Sequence, residues 1–309
     1  MTISTATSTA AFYSTATQQL SSLQAQANAV NQSISTGNQY AAASENPEAA
    51  AQMRMLQLAD ATAAVDTTTA NKATSTLQLA DATMTTMVND MNTARTLATQ
   101  AANGTLSDTD RAAIGTQMAQ IQADMISLAN TTDSNGNALF GGGVSGSAYT
   151  TDASGKAVYG GAATSQTLGI GGGQSVQTSL TGPEIFNITD ADGNSTNVMD
   201  AIGALATALK AGGTAAQTAA SNGLATLSNG LDAVTTAQTV IGARESWIAL
   251  NTQNLTAQGT ARATAEKSIG DTDISSAAIR LQQLTTALQA SQSCFVRLSS
   301  LSLFNVIGN

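Results

Sequence analysis

Several residue types on which catalysis and covalent cross-linking depend are scarce in this sequence. Among 309 residues there is no histidine and one cysteine, Cys294. Without histidine, Ser-His-Asp and Cys-His catalysis, the commonest zinc sites and the usual general base near neutral pH are excluded. Cys294 cannot form an internal disulfide, and beside Phe295 on a predicted helix we interpret it as a small residue at a helix seam. We therefore expect no enzyme activity and no cofactor.

Charge and aromatic content are also low. Aromatic residues make up 3% of the chain and charged residues 10%, and the net charge is −9. With no basic stripe to displace counterions, nucleic acid and anionic membranes are disfavoured as partners. The first 20 residues lack a basic start followed by an apolar run, and no stretch approaches the roughly 20 apolar residues that span a bilayer. We expect no cleaved signal peptide and no membrane segment.

Apolar residues recur with alternating three- and four-residue spacing near both ends of the chain. This spacing places them on one side of a helix and favours coiled-coil packing. The first stripe precedes a helix-ending glycine, Gly37, and the second follows a predicted helix cap, Asp271. The stripes are Ala16, Leu20, Leu23, Ala27, Val30 and Ile34, and Ile274, Ala277, Leu281, Leu284, Leu288, Ser291, Phe295 and Leu298. We predict that the two terminal helices pair.

Longer helices are predicted inside these ends. Asn46 and Pro47 read as a helix cap and a first helical residue, and Ser107 with Asp110 resembles a capping box. Methionines at heptad positions could form an adaptable binding face, but a core seam is the simpler interpretation. The stripes are Leu77, Ala80, Met84, Met87, Met91, Ala94, Ala98 and Ala101; Ile114, Met118, Ile121, Met125 and Leu128; and Leu224, Leu227, Leu231, Val234, Gln238 and Ile241, continuing to Leu255.

The pattern changes in the middle of the chain, between about residues 131 and 197. Glycine clusters appear there, and short runs at 157–159, 175–178 and 185–188 read as strands. The predicted fold is mainly α: an elongated, discontinuous helical coiled-coil bundle from both chain ends with a small β-rich inserted domain in the middle. The expected domains are a terminal paired-helix domain (1–40 and 271–309), a helical rod domain (41–140 and 198–270) and the β-rich insertion (141–197).

Two aspartate-rich segments of the insertion imitate the start of a calcium loop. They begin at Asp133 and Asp190, but Val144 and Ala201 occupy the closing positions where a bidentate glutamate is needed. None of the glycine runs continues as the Gly-Lys-Ser/Thr of a phosphate-binding loop. We interpret these segments as turns and predict no metal site.

The carboxyl end and four internal segments resemble the flagellin superfamily, and within it the proteins of the hook–filament junction. Residues 294–305 read CFVRLSSLSLFN, similar to the family's closing FxRIxxLSLFNYI, with Val306 in place of the tyrosine. The other segments occur in the family's order, whereas Thr2 and Ala138 depart from its pattern. These segments are STG at 35–37 with SENP at 44–47, AANGT at 101–105, NGNALFGG at 135–142, and IGAR at 241–244.

The resemblance implies a structural subunit of the bacterial flagellum that joins the hook, through hook-associated protein 1, to the flagellin filament. It further implies head-to-tail self-assembly in a ring, an export chaperone, and an extracellular location reached through the flagellum's own channel. Filament flagellin and a surface adhesin-type binding module are the alternatives. The expected assembly interface comprises Leu20, Leu23, Val30, Ile34, Leu281, Leu284, Leu288, Phe295, Leu298, Leu301, Leu303 and Phe304.

Overall fold

The computed structural model describes the backbone of residues 3–307 and the side chains of residues 11–297. The chain is mainly helical, as the sequence predicts, with short strands between the third and fifth helices. The helices are α1 (Ile3–Thr36), α2 (Pro47–Ala101), α3 (Asp108–Ala129), α4 (Gly182–Phe186), α5 (Val198–Ala211), α6 (Gly213–Gly270) and α7 (Ile274–Ile307). The strands are β1 (Tyr149–Thr151), β2 (Ala157–Tyr159), β3 (Thr167–Gly171), β4 (Gln174–Gln177), β5 (Asn187–Thr189) and β6 (Ser195–Asn197).

The chain divides into two compact units. Unit 1 comprises residues 1–61 and 258–309, and unit 2 comprises residues 62–257. Both ends of the chain therefore contribute to unit 1, and all six strands belong to unit 2. The division into three domains that we expect from the sequence stays a prediction.

The predicted helix boundaries around the first loop are confirmed. Helix α1 ends at Thr36, and Gly37 follows with φ of 75°, a left-handed conformation that suits glycine. Helix α2 begins at Pro47, whose missing N–H lies where a helix leaves its amides unpaired. The Asn46 side chain accepts a hydrogen bond from the Ala49 amide at 3.0 Å, so it caps the helix as predicted.

The turn between α2 and α3 is held by one buried arginine. Arg111 is 5% exposed, and its Nε and Nη2 atoms donate to the carbonyls of Ala101 and Asn103 at 3.1 and 2.9 Å. Its Nη1 atom contacts Asp108 Oδ1 at 3.0 Å. The same oxygen accepts the Gly213 amide at 2.9 Å. This network joins the end of α2, the start of α3 and the start of α6.

The core of unit 2 is lined by small residues and methionine. Met84 and Met87 on α2 are fully buried, and Met118 and Met125 on α3 are also fully buried. The methionine stripe is therefore a core seam, which confirms the simpler interpretation. Other fully buried core residues include Leu77, Ala94, Ala98, Ile202, Leu209, Val234 and Ile241. Alanine at positions such as Ala94 and Ala98 lets the helix backbones approach closely.

Gly115 marks the closest approach between α3 and α5. A Cβ atom added there would lie 2.7 Å from the Ala206 carbonyl oxygen and 3.0 Å from the Leu209 Cβ. Real side chains essentially never approach a backbone atom that closely, so one of the two helices would have to move. The glycine is consequently required by packing and not by backbone conformation.

We expect Gly115→Ala to lower the free energy of unfolding by about 1–3 kcal/mol, because overpacking outweighs the helix propensity that alanine adds. Gly242→Ala in α6 is the matched control, since nothing lies within 4 Å of its added Cβ. The control is expected to gain up to about 1 kcal/mol from propensity alone. Urea unfolding of both variants measures the difference; equal gains in stability would contradict close packing at Gly115.

The strands form three two-stranded antiparallel sheets, β1–β2, β3–β4 and β5–β6. The strands predicted at 157–159 and 175–178 correspond to β2 and β4. The strand predicted at 185–188 is wrong in its first half, because Ile185 and Phe186 lie in α4. The Glu184 carboxylate accepts the Thr181 amide at 3.0 Å, and Pro183 sits in the first turn. These helix-start signals outweigh the strand preference of the apolar pair.

Asparagine side chains from the helices hold the sheets against the core of unit 2. Asn251 on α6 donates to the Ile170 carbonyl at 2.5 Å, and Asn229 on the same helix donates to the Thr189 carbonyl at 2.8 Å. Asn130, just after α3, pairs with both the amide and the carbonyl of Tyr149. Each sheet is thereby tied to a helix.

Candidate assembly interface

Helices α1 and α7 pack against each other in unit 1. At one end the Thr272 amide donates to the Gly37 carbonyl at 2.8 Å. At the other end the rings of Tyr13 and Phe295 meet edge to face, with centroids 5.5 Å apart. Because the end of α1 meets the start of α7, the two helices run antiparallel. The first and last helices of the chain thus form one two-helix layer.

The predicted seam residues are the covered positions of this pair. Leu284 and Ala27 are buried, at 4% and 6% exposed. Ile274, which the heptad pattern includes, is instead 60% exposed. The half-buried interface residues are Leu20, Leu23, Val30, Ile34, Leu281, Leu288 and Phe295. The side chains of Leu298, Leu301, Leu303 and Phe304 lie outside the described residues. A role of these residues in contacts between molecules stays a prediction.

The start of α7 differs from the sequence prediction. Asp273 caps the helix, with Oδ1 accepting the Ser275 amide at 3.0 Å and Oδ2 accepting the Ser276 hydroxyl at 2.7 Å. The hydrogen bonds from Ser276, and then from Ser275, hold the pKa of Asp273 below its usual value. Asp271, the predicted cap, forms an isolated β-bridge with Asn38 instead. The cap is therefore displaced by two residues, because residues 271 and 272 pair with the loop after α1.

Unit 1 leaves large apolar side chains exposed on several helices. A two-helix layer has a single buried seam, so apolar residues on the remaining faces stay in solvent. Exposed fractions range from 47% for Phe12 to 70% for Leu58. The others are Met55, Ile274, Ile279 and Val296. Single exposed apolar residues are common on protein surfaces, whereas a contiguous patch of them marks a surface that packs against other proteins.

One ion pair joins α2 and α6 within unit 1. Arg262 Nε lies 2.5 Å from Asp60 Oδ1, and the two side chains are 16% and 40% exposed. Partly exposed pairs of this kind contribute about 0–1 kcal/mol, so it fixes the pairing of the helices more than their stability. The unit is held chiefly by its thin apolar seams.

No site of chemistry stands out in the described side chains. Among residues 11–297 there is no cluster of three or more histidine, cysteine, aspartate or glutamate side chains that could hold a metal. Cys294 is exposed. The segments beginning at Asp133 and Asp190 are tight turns, with Gly136 and Gly193 at positive φ. Within the same part of the chain, none of the helices has the length and apolarity needed to cross a membrane.

The chain matches two descriptions of one protein family, one at each end. Residues 7–145 match the bacterial flagellin N-terminal helical region, and residues 224–307 match the bacterial flagellin C-terminal helical region. The chain belongs to the bacterial flagellin family. The N-terminal match includes α2, α3 and most of α1, and the C-terminal match includes α7. The stretch between the matches in this flagellin-family chain contains the strands β1 to β6 of the described residues.

Two curated relatives resemble the chain over most of its length. Flagellar hook-associated protein 3 of Salmonella typhimurium is 28% identical over 296 residues, which cover 90% of this chain and 92% of that protein. Flagellar hook-associated protein 3 of Escherichia coli is 28% identical over 292 residues, covering 88% and 90% respectively. The resemblance to junction proteins that residues 294–305 suggest thus extends over 88–90% of the flagellin-family chain.

Solved structures share the fold. A putative flagellar hook-associated protein from Vibrio parahaemolyticus superposes with a TM-score of 0.68 at 21% identity, covering 74% of this chain and 100% of that one. Flagellar hook-associated protein 3 from Legionella pneumophila gives 0.65 at 14% identity, covering 70% and 98%. At these identities the likeness shows a common architecture of helices and small sheets.

Proposed function

We propose that this flagellin-family chain is a structural subunit of the bacterial flagellum that joins the hook to the filament. The observation that supports it most directly is the pairing of α1 with α7. This pairing brings both ends of the chain into one two-helix layer, which offers a continuous surface to neighbouring subunits. The two curated relatives, similar over nearly their whole length, are both flagellar hook-associated protein 3. In this role the chain transmits force and catalyses no reaction.

The proposed partners are those of a junction. One face of a ring of subunits contacts hook-associated protein 1, the other contacts flagellin, and neighbouring copies pack head to tail. Low charge favours such dense packing, since charged residues make up 10% of the chain and repel little at close approach. A chaperone holds the carboxyl-terminal region before export through the flagellar channel, without cleavage of a signal peptide.

We further propose that neighbouring subunits complete the burial of the α1–α7 layer. The seam is narrow: Ala16, Ala27 and Ala277 bury little area, and Leu284 and Ala27 are its only buried members among the described side chains. Burial of a leucine contributes about 1.5–3 kcal/mol, whereas ordering the backbone costs about 1–2 kcal/mol per residue. Contacts such as those available to Phe12 and Ile279 supply the difference on assembly.

Immunogold labelling of intact flagella tests the proposal. Antibodies raised against the purified chain should mark a single narrow band at the distal end of the hook. A strain lacking the gene is the control, and it should show hooks without filaments and no label. Label along the entire filament would favour filament flagellin, and label on the cell body would favour a surface adhesin. Either pattern would overturn the junction assignment.

A further inference from the structure

Three turns in unit 2 share one sequence pattern and one geometry. Each begins with aspartate and has glycine at its fourth position: Asp133 to Asn137, Asp152 to Lys156 and Asp190 to Asn194. In each, the aspartate Oδ1 accepts the backbone amides of the third and fifth residues. The donors are Asn135 at 2.8 Å and Asn137 at 2.9 Å, Ser154 at 2.8 Å and Lys156 at 2.9 Å, and Asp192 at 2.9 Å and Asn194 at 2.8 Å.

The backbone of each turn explains why the carboxylate is needed. The fourth-position glycines have φ of 79°, 84° and 85°, which turns the chain back so that two amides point inward at the aspartate. The aspartate amide in turn donates to the carbonyl of the fifth residue, at 2.8, 2.9 and 2.9 Å. Two of the turns close the β1–β2 and β5–β6 sheets. The aspartates therefore satisfy amides that the strands leave unpaired.

The charged neighbours of these aspartates are few. Lys72 of α2 lines the same small cavity as Asp133. Lys156 lies in the turn of Asp152 and interacts with it electrostatically. Asp190 lines a groove with Lys156, Asp192 and Asp200. The amide donors, common to all three turns, are consequently the main partners of the carboxylates.

Protonation of the turn aspartates is expected to lower the stability of the fold. At Asp133 burial acts to raise the pKa, but hydrogen bonds from Asn137 and Asn135 outweigh it, so the pKa is below its usual value. The Asn194 amide lowers the pKa of Asp190, and the Ser154 hydroxyl lowers that of Asp152. Groups with a lowered pKa stabilise the fold above the unfolded-state pKa of about 4 and lose that contribution as the pH falls through the folded-state pKa.

Glu245 and Asp90 on the long helices of unit 2 have a raised pKa, whereas the Thr181 amide lowers the pKa of Glu184 on α4. Burial, and then Asp81 of α2, raise the pKa of Glu245 on α6, whose Oε1 atom is buried without a hydrogen-bond partner. Burial, and then Asp124 of α3, raise the pKa of Asp90 on α2. A raised folded-state pKa means that the stabilising contribution is present at low pH and is lost as the pH rises through that pKa. Protonation therefore removes the cost of burying these two charges and, to a lesser extent, their repulsion by Asp81 and Asp124.

The amino-acid composition makes repulsion between positive charges a weak cause of acid unfolding in this chain. The chain has no histidine to become charged in the core, and only 11 Lys and Arg residues among 309. Full protonation of the carboxyl groups therefore leaves a low density of positive charge, and electrostatic repulsion between cations stays weak. The effect of acid on stability therefore comes mainly from the carboxylates.

We propose that the three aspartate turns form an acid-sensitive device, which loosens the β1–β2 and β5–β6 sheets and the loop at residues 132–138 below about pH 4 while the helical core of unit 2 stays folded. Protonation removes the charge-assisted acceptors of two amides in each turn at once. The β1–β2 and β5–β6 sheets then lose their closed turns, whereas the methionine and alanine side chains that pack the long helices together do not titrate. Asp108 at the start of α3 and Glu184 of α4 also lose their charge, but they lie at helix ends and not in the apolar core. This behaviour is a property of the single chain and does not depend on the proposed junction role.

Backbone hydrogen exchange of the full chain at pH 6 and pH 3, corrected for the intrinsic exchange rate at each pH, tests the proposal. The turn amides at residues 135, 137, 154, 156, 192 and 194 should lose protection at pH 3, by up to about ninefold, which is the limit for one aspartate whose pKa in the open state is about 3.9. Amides of α2 around Met84 should keep theirs. Unchanged protection in the turns would overturn the proposal.

A triple variant, Asp133→Asn, Asp152→Asn and Asp190→Asn, separates protonation from other effects of acid. Asparagine retains the Oδ1 acceptor but does not titrate. The variant should show the same turn protection at both pH values, while the matched control Asp232→Asn, at an exposed position on α6, should behave as the unaltered chain. If the triple variant does not fold, each single variant should lose pH dependence only in its own turn. Acid-induced loss of equal size in the asparagine turns contradicts the mechanism.

Discussion

A chain carrying Leu284→Asp is expected to be exported normally but to be absent from flagella, so that hooks lack attached filaments. Leu284 is 4% exposed and lies at the centre of the seam between α1 and α7. Loss of the buried leucine removes about 1.5–3 kcal/mol, and an unpaired carboxylate in the same place is further disfavoured. The narrow seam has no other buried large side chain among the described residues to compensate.

The effect should be specific to the seam. Gln283→Asp introduces the same charge at the adjacent, exposed position, so it controls for charge and for helix propensity. Leu288→Asp, at a half-buried position one turn later, should give an intermediate defect. Immunogold labelling and counts of filaments per hook measure incorporation, and the chain in the culture medium measures export. Filaments in normal numbers on Leu284→Asp cells would rule out the α1–α7 seam as an assembly element.

The terminal helices could be predicted in detail because their signal is periodic. A heptad stripe identifies the covered side of a helix whatever it packs against, and in α7 the side chains from Ala277 to Phe295 follow it. The stripe does not show which member is covered most, since Leu281, Leu284 and Leu288 occupy equivalent positions. Only the partner helix distinguishes them. Ile274 was misassigned for the same reason, because it is the first residue of α7 and lies where the partner helix α1 ends.

The remaining prediction errors concern α4, whose sequence signal is local, and Arg111, whose partners are distant in the sequence. Helix α4 could have been found from Thr181, Pro183 and Glu184, which are ordinary helix-start residues, but the apolar Ile185 and Phe186 favoured a strand. The role of Arg111 could not have been found. Its carbonyl partners lie 8 and 10 residues earlier in the chain, and they converge on the guanidinium only after the turn between α2 and α3 has formed.

Arg111→Met is expected to lower the free energy of unfolding of unit 2 by about 2–4 kcal/mol. The substitution removes the donor from the buried carbonyl of Ala101, the last residue of α2, and one of two donors from the carbonyl of Asn103, which also accepts the Leu106 amide at 3.2 Å. It also leaves Asp108 without its cation. Because the Asp108 side chain is 62% exposed, water replaces part of that interaction, and the loss stays below that of a fully buried pair.

Two further variants separate charge from geometry. Arg95→Met, at an exposed position on α2, removes the same charge and should change stability by less than about 0.5 kcal/mol. Arg111→Lys keeps the charge but not the planar fork that reaches two carbonyls and a carboxylate together, so it should recover only part of the loss. Urea unfolding followed by fluorescence of the single tryptophan, Trp247 of unit 2, reports the midpoint.

The comparison with lysine decides what the arginine contributes. If Arg111→Lys matched the unaltered chain, a positive charge near Asp108 would be sufficient, and the carbonyl contacts would be incidental. If it fell close to Arg111→Met, the two carbonyls at the end of α2 would account for most of the stability. We expect the second result, because the buried Ala101 carbonyl would be left without its donor at a cost of about 1–3 kcal/mol, whereas a half-exposed ion pair contributes less than about 1 kcal/mol.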